Sequence, residues 1–103
     1  MHSASAMNTM SPLIESHREQ LKEIARQHGV TDVRVFGSMA RGDDGPDSDV
    51  DLLVSLLPGT SALDMGGMLM DAESLLHRRV DLVSERALSS LIRERVLMEA
   101  QAL

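Results

Sequence analysis

Residues 35–54 read Val35-Phe36-Gly37-Ser38-Met39-Ala40-Arg41-Gly42-Asp43-Asp44-Gly45-Pro46-Asp47-Ser48-Asp49-Val50-Asp51-Leu52-Leu53-Val54, two apolar runs separated by a loop of glycine, proline and acid. Val33, Val35 and Phe36 are strand formers that stop at Gly37, and Val50, Leu52, Leu53 and Val54 are a second such run. Asp43 to Ser48 holds the residues that favour turns, and reads as a loop. Working upstream, Ser11 as N-cap and Pro12 at the first helical position open a helix. Its apolar positions Leu13, Ile14, Leu21, Ile24 and Ala25 recur at helical spacing, which predicts a helix from Pro12 to His28, ended by Gly29. Downstream, Pro58-Gly59 closes the second strand. Ala62 to His77 carries Met65, Leu69, Ala72 and Leu76 on one helical face, with a start either at Ala62 or after Gly66-Gly67. Val80, Leu82 and Val83 give a third strand, and Leu88, Leu91, Ile92, Val96 and Leu97 a last helix running to the C-terminus. Counting a short helical turn after Gly37, the order is α-β-α-β-α-β-α, an α/β (α+β) arrangement. Residues 1–10 have no periodicity and read as a frayed tail, with Met7 or Met10 as alternative starts; residues 11–103 form the domain.

Composition narrows the function classes. A chain of 103 residues with 43% hydrophobic and 25% charged residues has room for one core and a shallow site. Its formal charge of −6 argues against gripping nucleic acid through a basic face, and a single aromatic residue, Phe36, offers no base-stacking platform. The absence of cysteine excludes a disulfide framework, a zinc ribbon and a thiolate nucleophile. No apolar run is long enough to span a bilayer, so no membrane partner is expected and the location is read as cytoplasmic.

Two clusters carry chemistry. Gly37-Ser38-Met39-Ala40-Arg41-Gly42 follows a strand, and glycines there let backbone N–H groups approach an anion such as phosphate. Asp43 and Asp44 occupy the places where a Walker A loop needs Lys and Ser or Thr, which excludes a P-loop NTPase, and the three-glycine Rossmann fingerprint is missing. A plain strand-to-helix turn is the alternative. Asp49 and Asp51 alternate along a strand entrance and so project to one side. Two carboxylates on one face need either full solvation or a cation, and oxygen ligands suit Mg²⁺. An EF-hand is excluded, because counting from Asp47 puts Leu52 at the glycine position and Pro58 at the bidentate glutamate position. An acidic loop kept for solubility is the alternative. Asp81 lies inside the apolar run Val80-Asp81-Leu82-Val83, where a carboxylate is costly unless it ligates or pairs, Arg78 and Arg79 being the nearest partners in sequence. His17, His28 and His77 are assigned to no metal.

Gly37-Ser38, ten residues, then Asp49-Val50-Asp51, with Arg41-Gly42 between and a later strand aspartate, resembles the minimal nucleotidyltransferases of the DNA polymerase beta-like superfamily, in particular the MNT antitoxins paired with HEPN-domain toxins. The likeness runs from the first helix onward and implies a three-stranded mixed sheet flanked by helices. It implies that Gly37, Ser38 and Arg41 bind the nucleotide phosphates, and that Asp49, Asp51 and Asp81 are the catalytic carboxylates holding two Mg²⁺ ions. The implied reaction is transfer of AMP from ATP to a tyrosine hydroxyl of a partner HEPN ribonuclease. With no tyrosine in the chain, that transfer runs in trans. Two alternatives stand beside it: an antitoxin that neutralises by binding alone, and a nucleotidyltransferase that modifies a small molecule with a partner subunit's help. Met65, Met68 and Met70 are candidates for a docking surface, with core packing the alternative for Met65 and Met68.

Overall fold

The computed structural model describes residues 10–103. The expected tail lies outside the described residues except for Met10, which is buried in the main core. Helix α1 (Pro12–Ser16) starts where predicted, with the Ser11 hydroxyl accepting from the Leu13 N–H at 3.3 Å. The expected single helix is broken at His17, and α2 (Arg18–Gln27) follows. The His17 ring nitrogen Nδ1 bonds the Leu13 carbonyl at 2.8 Å, the oxygen an uninterrupted helix would give to the His17 backbone N–H. That N–H turns to the Ile14 carbonyl instead, tightening the turn.

Strand β1 (Val30–Phe36) leads through Gly37 into the short helix α3 (Ser38–Arg41), and β2 (Val50–Leu56) follows the acidic loop. Helix α4 (Ala62–Leu76) begins at Ala62, ahead of the glycines. Ser61 caps the Asp64 N–H while the Asp64 carboxylate accepts from the Ser61 N–H at 2.9 Å, a reciprocal box that holds Asp64 below the ordinary carboxylate range. Strand β3 (Val80–Ser84) leads through a 3₁₀ turn (Glu85–Ala87) to α5 (Ser90–Glu99).

The sheet has four strands in the order β3-β2-β1-β4, where three were expected. The last helix stops at Glu99, and Gln101–Ala102 forms β4, antiparallel to β1 through the pairs Arg34↔Ala102 and Val35↔Gln101. Two residues of strand are too few to show a period. β1 and β2 are antiparallel, whereas β2 and β3 are parallel, joined by the α4 crossover.

The central strand β2 is covered on both sides. Val50, Leu52 and Val54 point into the main core with Ile14, Leu21, Val35, Met39 and Met68, beneath α1, α2 and α4. Leu53 points the other way, into a smaller cluster with Leu88 and Val96 near α5. Of the three methionines considered for docking, Met68 is fully buried and Met65 packs against the core, which leaves Met70 exposed.

The two glycines of α4 differ in their surroundings. A Cβ on Gly67 would stand 2.7 Å from Cε1 of His28, whose Nε2 bonds Asp71 on the same helix at 2.8 Å. A Cβ on Gly66 would meet nothing within 4 Å. Gly66→Ala is therefore expected to stabilise the fold by up to about 1 kcal/mol through helix propensity. Gly67→Ala is expected to destabilise it, since the His28 ring must give way. Urea denaturation midpoints of the two variants check the opposite signs.

Candidate active site

The register of the parallel pair sets the site. Asp51 on β2 is the direct partner of Asp81 on β3, so both side chains leave the same face of the sheet, the face that Leu53 shares. Asp49, two residues earlier at the mouth of β2, continues the alternation toward that face. The three aspartates singled out from the sequence are thus brought to one end of one sheet face. Asp49 and Asp81 are exposed, and Asp51 is half-buried between them. Arg78 does not neutralise them: it donates to the carbonyls of Gly45 and Ser48, both at 3.2 Å, and pins the acidic loop.

The electrostatics are those of crowded anions that the Arg41 charge offsets only in part. Burial pushes Asp51 above the ordinary carboxylate range, the charges of Asp81 and Asp49 push it further, and Glu99 adds to them. Among the described residues no three acidic, histidine or cysteine side chains stand close enough together to hold a metal ion as they are. The donor chemistry is nevertheless that of a divalent-cation site: hard carboxylate oxygens, one group half-buried, with mutual repulsion that a positive ion would relieve.

The loop lies over the same place. On the other side of β2, Asp51 is paired with Phe36, so the residue after Phe36 starts directly above the carboxylate. Gly37 has φ 73° and ψ −153°, a region essentially closed to L side chains. A Cβ there would come within 2.4 Å of Asp51 Oδ2. Both the turn and the carboxylate therefore demand glycine. Ser38 opens α3 and is half-buried; Arg41 ends it, exposed. Gly42, with φ 76°, closes α3 in a left-handed conformation.

Glu99, at the end of α5, was not singled out from the sequence. Its Oε1 accepts the Gly37 N–H at 2.7 Å and its Oε2 accepts from Arg41 Nη1 at 2.8 Å. The Gly37 N–H first, and the Arg41 guanidinium after it, hold Glu99 below the usual carboxylate range. The one signal in the sequence was weak: an acid in the last turn of the expected helix is disfavoured by the helix dipole and needs an external reason.

Residues 15–103 match the family described as Nucleotidyltransferase domain. The chain is 37% identical over 93 residues to the protein adenylyltransferase MntA of Thermococcus cleftensis, covering 90% of this chain and 91% of the relative. A solved minimal nucleotidyltransferase superposes with a TM-score of 0.80 and 46% identity, covering 87% of this chain and 92% of that one. A tri-AMPylated Shewanella oneidensis HEPN toxin in complex with its MNT antitoxin gives a TM-score of 0.65 at 18% identity, over 85% of this chain and 69% of that one, a likeness of fold.

The raised Asp51 pKa has a thermodynamic consequence. Between the ordinary carboxylate value and the raised one the folded chain holds a proton that the unfolded chain has released, so this group's contribution is full below the ordinary range and is lost as pH rises through the raised value. Asp51→Asn is therefore expected to raise the melting temperature at neutral pH and to flatten its fall with pH across that window. Melting curves of the two proteins from acid to neutral pH check this, and an unchanged or lower midpoint at neutral pH contradicts it.

Proposed function

This chain belongs to the nucleotidyltransferase domain family, as a minimal, MNT-type member, and from that premise we propose that it is an antitoxin transferring AMP from ATP to a tyrosine hydroxyl of a partner HEPN ribonuclease. The observation that carries the reading is the stacking of the Gly37-Ser38 turn directly on Asp51, abreast of Asp81. A triphosphate held by the turn would bring its α-phosphorus toward the carboxylates. In the reaction the acceptor oxygen bonds to the α-phosphorus, the bond to the bridging oxygen of the β-phosphate breaks, and pyrophosphate leaves. Two Mg²⁺ ions held by Asp49, Asp51 and Asp81 would lower the acceptor's pKa and offset charge on the leaving oxygen. Asp81, exposed at the edge of the trio, takes the hydroxyl proton, and Ser38 hydrogen-bonds the phosphates in line with the attack.

The transfer of AMP to a toxin is supported by the likeness of fold to the MNT partner of an AMPylated HEPN protein. Since the chain has no tyrosine, it does not compete with its target for the label. A cytoplasmic location belongs to this reading, since ATP and the RNA substrates of a ribonuclease are found there.

Incubation with labelled ATP, Mg²⁺ and a HEPN-type partner is expected to label the partner, and the double variant Asp49→Asn/Asp51→Asn is expected to leave it unlabelled. Equal labelling by the variant overturns the site assignment; neutralisation of the toxin by a folded variant that labels nothing supports inhibition by binding alone. Ser38→Ala is expected to weaken ATP use by about 1–3 kcal/mol, the worth of a hydrogen bond to a charged phosphate, seen as a raised KM for ATP.

A further inference from the structure

Resting on that reading, the Gly37 turn is not free to receive a phosphate as it stands. A backbone N–H serves one anion at a time, and the Gly37 N–H is given to Glu99 Oε1 at 2.7 Å. The Arg41 guanidinium is held on two sides, by Glu99 at 2.8 Å and by Asp43 at 3.2 Å. Glu99 thus engages two of the three groups assigned to the phosphates, with one carboxylate oxygen on each. It also adds to the negative field at Asp51, opposite to what a triphosphate needs.

We propose that Glu99 is an internal stand-in for phosphate, a displaceable competitor that occupies the Gly37–Arg41 cradle until the nucleotide evicts it. The backbone beside it is arranged so that the side chain can leave without the segment following. Gln101 donates to the Ala40 carbonyl at 2.9 Å, the Leu103 N–H donates to the Val33 carbonyl at 3.1 Å, and Arg18 donates to the Leu103 carbonyl at 2.6 Å. These bonds hold β4 against β1 and α3 independently of Glu99. The Glu99 side chain is 26% exposed, so it borders solvent into which it can turn. Eviction exchanges one carboxylate for a more highly charged phosphate chain at the same donors, and leaves Arg41 facing the incoming charge.

The test is binding of the non-hydrolysable analogue AMP-PNP with Mg²⁺ to the intact chain, by calorimetry. Glu99→Gln keeps the shape but gives up the charge-assisted bonds, and is expected to bind at least about five-fold more tightly than the natural chain. Equal or weaker binding by Glu99→Gln, while the natural chain binds, overturns the stand-in and makes Glu99 a support of the loop, with the nucleotidyltransferase reading untouched. Failure of both the natural chain and Glu99→Gln to bind overturns both together. Should Glu99→Gln fail to fold by circular dichroism, the natural chain decides alone. On saturation with AMP-PNP and Mg²⁺ the Glu99 carboxyl carbon resonance is expected to move to that of a solvated glutamate while the Gly37 amide shifts. A Glu99 resonance that stays in place overturns the proposal.

Discussion

Repulsion among carboxylates that the backbone forces together is the constraint on which this domain is built. Asp51 cannot avoid Asp81, because the parallel register sets them side by side, and it is half-buried between a loop and a strand. Such an arrangement works against folding and persists only because β2 is anchored on both faces, by Val50, Leu52 and Val54 toward one core and Leu53 toward the other. Apolar burial on either side of the strand holds an acidic entrance that would otherwise relax into solvent.

The turn above is shaped by the same crowding. Gly37 combines a backbone conformation open to glycine with a gap that Asp51 fills, so the phosphate loop and the carboxylate site are two surfaces of one contact. Glu99 ties a third element into it. The end of α5 reaches the loop at Gly37 and Arg41 while β4 pairs beyond it, so α5 and β4 connect α2, through Arg18, to the site.

Much of this was legible in the sequence because it rests on local chemistry. Strand alternation placed Asp49 and Asp51 together, the strand-then-glycine pattern located the turn, and a charged residue inside the apolar run 80–83 marked Asp81. What escaped was set by contacts distant in sequence. The break at His17 depends on a side-chain bond to Leu13, and β4 is two residues of strand made so by pairing with β1. Gly67 looked like a helix weakness, and its reason is the ring of His28 on another element. Glu99 could not be assigned from spacing, since it meets Gly37 across 62 residues.

The pairing of β2 with β3 also restricts how the gene can change in length. Adding or removing a single residue so that β3 slid one position along β2 would turn Asp81 to the opposite face and carry Val80 or Leu82 into its place, disabling the site and the core in one event. Insertions and deletions among descendants should therefore collect where no ladder follows rigidly, around 43–48 and 57–61. The spacing from α4 into β3 should stay invariant even where its residues drift.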